Sequence, residues 1–327
     1  MAIPGDPLNR WWRDVALVDP FSIFKMRSAL ICILAFDRWR QPNLFGTGFV
    51  ATKQNAHSLI ITAKHVLTEG VARFQALSYE SAPSALFRPP RTDQPSTDSA
   101  RLKMVWICSG NGEMLNVMHI SYNDTIDIAC CVATPQDDCL SNFRPTSICL
   151  DTTVPSVGSV VHIISHDAME QSEDTPPTNN SGNGHEITLR KRVSIREGVV
   201  TSVHQNGYRQ YKWPCFTTSI PVDPGMSGGF VSMPHDGDTI SAVGIVSADG
   251  SCPESRIDTN KCGESVIACM WPALALRVPE TIPSTPTTKL YTIYEMMKSG
   301  KMSMAVGGVD HLNLIKETND GYRIVPK

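Results

Sequence analysis

The sequence has little that would take this chain into a membrane or onto a nucleic acid. No window of about 18 uninterrupted apolar residues occurs, so no membrane-spanning helix is expected. The opening MAIPGDPLNRWWRDVALVDP has prolines and charges where a secretory signal carries an apolar core of about 7–15 residues, so no export signal is read and a cytoplasmic location is expected. A formal net charge of −3 leaves no excess of one sign to attract nucleic acid or an anionic membrane. No C-x₂-C pair is present, which removes the commonest zinc spacing, and neither a metal nor a cofactor is expected. Internal repeats are absent.

What the chain does have is apolar residues enough for a sizeable core, 41% of 327. They fall in short runs broken by Pro, Gly, Asn and Asp clusters, the pattern of an all-β domain. One group of predicted strands covers Ala29–Phe36, Gly46–Thr52, Ser58–Thr62, Leu102–Ile107 and Ile126–Val132. A second covers Ser159–Ile164, Ile187–Val193, Gly198–Val203, Cys215–Ile220, Gly229–Ser232, Ala242–Ser247 and Ser265–Cys269. Asp151 to Val157 reads as the connector between the two groups, and Lys53-Gln54-Asn55-Ala56 as a hairpin turn. Residues 1–26 read as a polar arm whose Trp11-Trp12 pair either pins it to the barrel surface or meets a partner. Residues 79–100 and 165–185 are polar, Pro-rich loops, read as decoration or as functional loops. After Val278 a Pro/Thr-rich linker leads to a helix over Lys289–Ser299, with Leu290, Ile293, Tyr294 and Met297 on one face and Gly300 to end it. Residues 301–327 suggest one or two strands.

The most informative stretch is Thr217–Met233, TTSIPVDPGMSGGFVSM. Its Gly225-Met226-Ser227-Gly228-Gly229 sets a hydroxyl between glycines, where the backbone turns sharply and can leave N–H groups facing a reacting atom. Serine is a poor nucleophile unless a base takes its proton and a carboxylate orients that base. Leu59-Ile60-Ile61-Thr62-Ala63-Lys64-His65 ends an apolar strand in a histidine, and Thr125-Ile126-Asp127-Ile128-Ala129 sets an acid inside an apolar run. Asp124 is the nearby rival, in the polar turn Tyr122-Asn123-Asp124.

The order His65, Asp127, Ser227 and the segments TAKHVL, DIA, PGMSGG and Gly244-Ile245-Val246-Ser247 resemble the chymotrypsin/trypsin-like serine peptidases over roughly residues 28–278. The resemblance implies two six-stranded antiparallel β-barrels, about residues 27–150 and 157–278, with the site in the cleft between them and a C-terminal extension over 279–327. It implies a serine endopeptidase acting on polypeptides through an acyl-enzyme, with His65 as base, Asp127 as orienting acid and Ser227 as nucleophile. By the same resemblance the N–H groups of Gly225 and Ser227 form the oxyanion hole. Pro221 falls near the base of the primary pocket, which disfavours cleavage after basic residues unless Asp249 or Glu264 enters it, and Ser247, Ala248 and Asp249 line the substrate channel. Val222-Asp223-Pro224-Gly225 and a non-acidic Met226 look more like the bacterial and stress-protease branch than the zymogen-activated enzymes, so no activating cleavage is expected.

The 10 cysteines lack the spacing of the disulfides in secreted members of that family, and Val66 stands where those enzymes usually have cysteine. They read as buried reduced thiols, with Cys252 and Cys262 the pair to depart from this. Two other functions fit parts of the pattern. A protease-like protein with a silent site would bind peptides without cutting them. An α/β-hydrolase esterase shares G-x-S-x-G, but needs a helix directly after the serine, and Pro234-His235-Asp236-Gly237-Asp238 leaves no room for one.

Overall fold

The computed structural model describes residues 11–15, 20–36, 42–54, 57–68, 102–108, 111–136, 143–171, 189–234, 240–249, 264–280, 288–302, 306–307, 309–317 and 321–327. After a short strand β1 (Trp12–Asp14) the chain forms helix α1 (Pro20–Ala29). The helix falls at the end of the expected polar arm, in a stretch with proline at its first turn, where its missing N–H costs nothing.

The first barrel closes in the order β2-β3-β4-β7-β6-β5. Its strands are β2 (Leu30–Phe36), β3 (Pro42–Gln54), β4 (His57–Thr62), β5 (Leu102–Cys108), β6 (Asn111–Tyr122) and β7 (Ala129–Pro135), all antiparallel neighbours. β6 was not among the predicted strands. Its sequence NGEMLNVMHISY mixes polar and apolar residues without clean alternation, and it owes its place to pairing with β5 and β7, a bulge near Val117 shifting its register. The strand predicted over Ile126–Val132 begins only at Ala129, so Asp127 lies in the bend that precedes it.

After β8 (Cys149–Asp151) comes the second barrel. It comprises β9 (Val160–Gln171), β10 (Leu189–His204), β11 (Cys215–Thr218), β12 (Phe230–Ser232), β14 (Gly244–Asp249) and β15 (Ser265–Cys269). The order β10-β11-β15-β14-β12-β9 returns to β10, giving the two six-stranded antiparallel barrels that the resemblance implies. The expected strands Ile187–Val193 and Gly198–Val203 are one 16-residue strand, because Ser194–Glu197 pairs continuously with β9. The same pairing carries β9 to Gln171, well into the stretch expected to be a loop; residues 172–188 lie outside the described residues, as does loop 79–100.

Between β12 and β14, β13 (Ser241–Ala242) pairs in parallel with β8, which on its other edge pairs in parallel with β18 (Val306–Gly307). β16 (Arg277–Pro279) and β17 (Leu290–Thr292) form a ribbon, so Leu290 is in a strand rather than the helix. The helix over Ile293–Lys298 starts at a capping box, Thr292 with Glu295, and buries Ile293 and Met296. A hairpin of β19 (Leu312–Lys316) and β20 (Tyr322–Pro326) follows, and its Leu312 and Ile324 enter the main core.

That main core fills the first barrel and continues to Ile164, Phe230, Ile245 and Ala268 of the second; the rings of Phe49 and Phe230 meet across the junction at 5.2 Å. A separate cluster, with Ile163, Phe216, Val231, Val246 and Ile267, fills the second barrel. Cys130, Cys131, Cys149, Cys215 and Cys269 are free thiols, and Cys252 and Cys262 lie outside the described residues. Among the described residues no helix is long and apolar enough to cross a membrane, and no group of His, Cys, Asp and Glu is placed to hold a metal.

Candidate active site

β4 delivers Thr62 and Ala63 to the seam between the barrels, and the helical turn over 64–68 that follows carries His65. Its backbone N–H donates to Asp127 Oδ1 at 3.0 Å, and its ring Nδ1 lies 2.8 Å from Asp127 Oδ2. An ionised carboxylate only accepts, so this contact puts the ring proton on Nδ1 and makes Nε2 the unprotonated ring nitrogen. Asp127 is almost wholly buried, and Ser247 of β14 donates its hydroxyl to Oδ2 from the other barrel. Asp124 instead stands in solvent, paired with Lys64 at 2.7 Å.

The loop bearing Ser227 is held by its backbone. Ser227 O accepts from Thr47 N at 2.7 Å, and Gly228 N donates to Val246 O at 2.8 Å. Gly228 has φ +83°, and a Cβ there would lie 2.3 Å from Thr62 Oγ1 and 2.0 Å from Thr47 O. Only glycine lets the loop press this closely against the residues leading to His65. On the other side of Ser227, Gly46 would put a Cβ 2.8 Å from Ser227 O and 2.6 Å from the Val66 side chain. Two glycines thus let the chain on either side of His65 and Ser227 close together.

Within this loop Met226 N donates to Asp223 O and Gly229 N to Met226 O. The N–H groups of Gly225 and Ser227 have no acceptor among the described residues. Gly225 sits at φ +93°. A family model for the trypsin-like peptidase domain matches residues 46–244, more than half of the chain. The chain belongs to that family. A comparison with curated proteins found no match.

In this peptidase domain the glycine-serine motif runs directly into strand β12, so it is not the elbow of an α/β-hydrolase, which a helix must follow. Pro221 is buried, and its carbonyl accepts from Arg196 Nη1 at 2.7 Å. Ala248 and Asp249 continue β14 past Ser247, in register with Val266 and Ser265. Glu264, the other acid considered for the primary pocket, faces Tyr208 Oη at 3.4 Å and Arg209 at 3.8 Å. Met226 is fully buried in the second barrel's cluster, and its sulfur accepts from Asp223 N at 3.2 Å.

Three contributors escaped the sequence reading. Thr47 accepts from His166 N at 3.0 Å, donates its hydroxyl to Gly225 O at 2.9 Å, and so ties β3 and β9 to the serine loop. Buried Arg196 pairs with the partly exposed Asp223 behind that loop. The signal for Thr47 was present in Gly46-Thr47-Gly48, since glycines inside an apolar strand mark a close backbone approach. No local signal marks Arg196, because its partners lie on other elements.

Proposed function

We propose that this peptidase is a serine endopeptidase that hydrolyses polypeptides through an acyl-enzyme, with Ser227 as nucleophile, His65 as general base and acid, and Asp127 as the orienting carboxylate. The observation that carries this reading is the contact of Asp127 with both the backbone and the ring of His65, 3.0 and 2.8 Å, in a carboxylate buried at the seam where the Ser227 loop packs.

In the reaction Ser227 Oγ attacks the substrate carbonyl carbon while His65 Nε2 takes its proton. Asp127 keeps the imidazole in the required tautomer and faces the positive charge that forms on it. The N–H groups of Gly225 and Ser227 donate to the oxyanion as the carbonyl becomes tetrahedral, a contribution of the kind whose loss costs about 100- to 1000-fold in rate per donor. His65 then returns the proton to the leaving amine, and water repeats the sequence on the acyl group. A substrate strand laid along Ser247–Asp249 gains backbone hydrogen bonds with little demand on its sequence.

The test is labelling by a fluorophosphonate together with cleavage of a peptide library. Wild-type protein is expected to take the label on Ser227 and to cut; Ser227→Ala and His65→Ala are each expected to do neither, with losses that do not add in the double variant. A protein that binds peptides but leaves Ser227 unlabelled would be the silent relative instead, and turnover by Ser227→Ala would remove Ser227 from the mechanism.

A further inference from the structure

The N-terminal strand is wired to the serine loop through one buried side chain. β11 pairs with β10 from Val200 to His204 and turns away after Thr218, leaving that edge of β10 open from Gly198 downward. β1 fills the opening: Trp12, Arg13 and Asp14 lie opposite Gly198, Glu197 and Arg196, and Val15 N donates to Ile195 O at 2.9 Å. Gly198 is required here, since a Cβ would lie 2.7 Å from Ser219 Oγ, 2.5 Å from the Ile220 side chain and 3.0 Å from Trp11 O. The Ser219 hydroxyl donates to Trp11 O, so the arm touches the first residue of the segment that leads to Ser227.

Arg196 makes the second link. Its guanidinium is 5.6 Å from the Trp12 ring centre, and its Nε is 3.6 Å from Asp14 Oδ1. The opposite end donates to Pro221 O at 2.7 Å and to Asp223 Oδ2. Arg196 is only 5% exposed, and its guanidinium lies between the two: the loop accepts its hydrogen bonds, while the arm sets the Trp12 ring and the Asp14 carboxylate beside it.

Asp223 opens the turn Asp223-Pro224-Gly225-Met226, closed by Met226 N to Asp223 O at 3.1 Å. Proline in its second place and Gly225 at φ +93° in its third make it a type II turn. Types I and II differ by a rotation of the peptide between those two residues, and the N–H of that peptide is the Gly225 donor.

We propose that the docked arm, acting through Arg196, holds the segment from Ser219 to Met226 in the conformation that presents the Gly225 N–H, so that Arg196 is a positioning residue and the arm a built-in activator. The catalytic consequence rests on Ser227 being the nucleophile.

The experiment compares the full chain with a protein lacking residues 1–15, with Arg196→Met and Arg196→Lys, and with the milder Trp12→Ala in case Arg196→Met fails to fold. Amide hydrogen exchange over 219–229 is expected to accelerate about 10-fold or more in the truncated, Arg196→Met and Trp12→Ala proteins while β2–β7 stay protected. On a peptide ester, kcat is expected to fall about 100-fold with KM little changed, as for loss of one oxyanion donor. Arg196→Lys is expected to recover part of the loss, and a synthetic peptide of residues 1–15 to restore the truncated protein. Unchanged exchange over 219–229, or wild-type turnover by the truncated protein, overturns the proposal. An inert wild type whose 219–229 exchange still responds to truncation supports the coupling and removes only the reading of Ser227.

Discussion

Ser247 on the second barrel donates its hydroxyl to the same Asp127 oxygen that faces the His65 ring from the first. The Asp127 carboxylate is therefore fixed from both barrels at once. Ser247 is 2% exposed and Asp127 5%, so water does not replace either partner. A shift of one barrel against the other would be felt first at this oxygen.

Ser247→Ala leaves Asp127 with His65 alone. A hydrogen bond to a charged group contributes about 1.5–3 kcal/mol, and when part of that is lost from the imidazolium-forming step the expected fall in kcat/KM is about 10- to 100-fold. Steady-state kinetics and a urea titration check this: kcat/KM falls while Ser227 still takes the probe, and an unchanged kcat/KM would mean that Ser247 only packs.

Gly228→Ala is expected to be far more damaging than its one carbon suggests. At φ +83° an L side chain is strained, and the new Cβ would meet Thr47 O at 2.0 Å and Thr62 Oγ1 at 2.3 Å. Relief requires the serine loop to move off β3 and β4, which separates Ser227 from His65. Loss of probe labelling and a drop of several kcal/mol in unfolding free energy are expected, by urea denaturation; a stable, fully labelled Gly228→Ala protein would show that the loop tolerates the shift.

Activation by cleavage is not expected. Met226 is wholly buried among Val222, Phe216 and their neighbours and offers no carboxylate to a new N-terminal amine. The full 327-residue chain should therefore react with a serine-directed probe as purified. Mass spectrometry of the labelled species decides it: label only on a shortened chain would contradict the expectation.

Alkaline pH is expected to weaken the fold through its core thiols. Burial outweighs the hydrogen bonds from Ser121 and pushes Cys130 up from 9.0 to about 12; it pushes Cys131 and Cys269 up as well. A raised folded value stabilises fully below the unfolded one and is lost as pH rises past it, because only the unfolded chain releases the proton. Between about pH 9 and 12 the unfolding free energy should fall by about 1.4 kcal/mol per pH unit through Cys130, with Cys131 and Cys269 acting in the same direction. Urea titrations over pH 7–10.5 measure the slope, and Cys130→Ala should flatten it. Below pH 9 iodoacetamide should leave Cys130 and Cys131 unmodified in the folded protein.

Much of the proposed site was legible because its segments are short and each has a local physical cause: a serine among glycines, a histidine at the end of an apolar strand, an acid in an apolar setting. The strands of the first barrel were legible where apolar residues run together, as in Leu30–Phe36, and illegible in Asn111–Tyr122, whose pattern makes sense only between two neighbours. Ser194–Glu197, with Ile195 its one apolar residue, fell between two predicted strands. In the fold Glu197 meets His162 at 2.8 Å and Arg13 at 2.7 Å, so paired charge sits where apolar residues were the signal sought.

The sequence by itself determined the local conformations: glycines where φ turns positive or backbones meet, proline opening a turn, a capping box at Thr292, and apolar runs that must pair to be buried. Tertiary structure alone decided which of those segments share a site. Asp127 is selected over Asp124 because the fold buries one against His65 and Ser247 and leaves the other in water beside Lys64. Arg196 meets Pro221 and Asp223 behind the serine loop only once β10 is folded beside that loop, and Thr47 becomes a tether only when β9 and Gly225 arrive from the second barrel. Turn and strand preferences act over a few residues, whereas hydrogen bonds and buried charges choose among partners that only folding brings within reach.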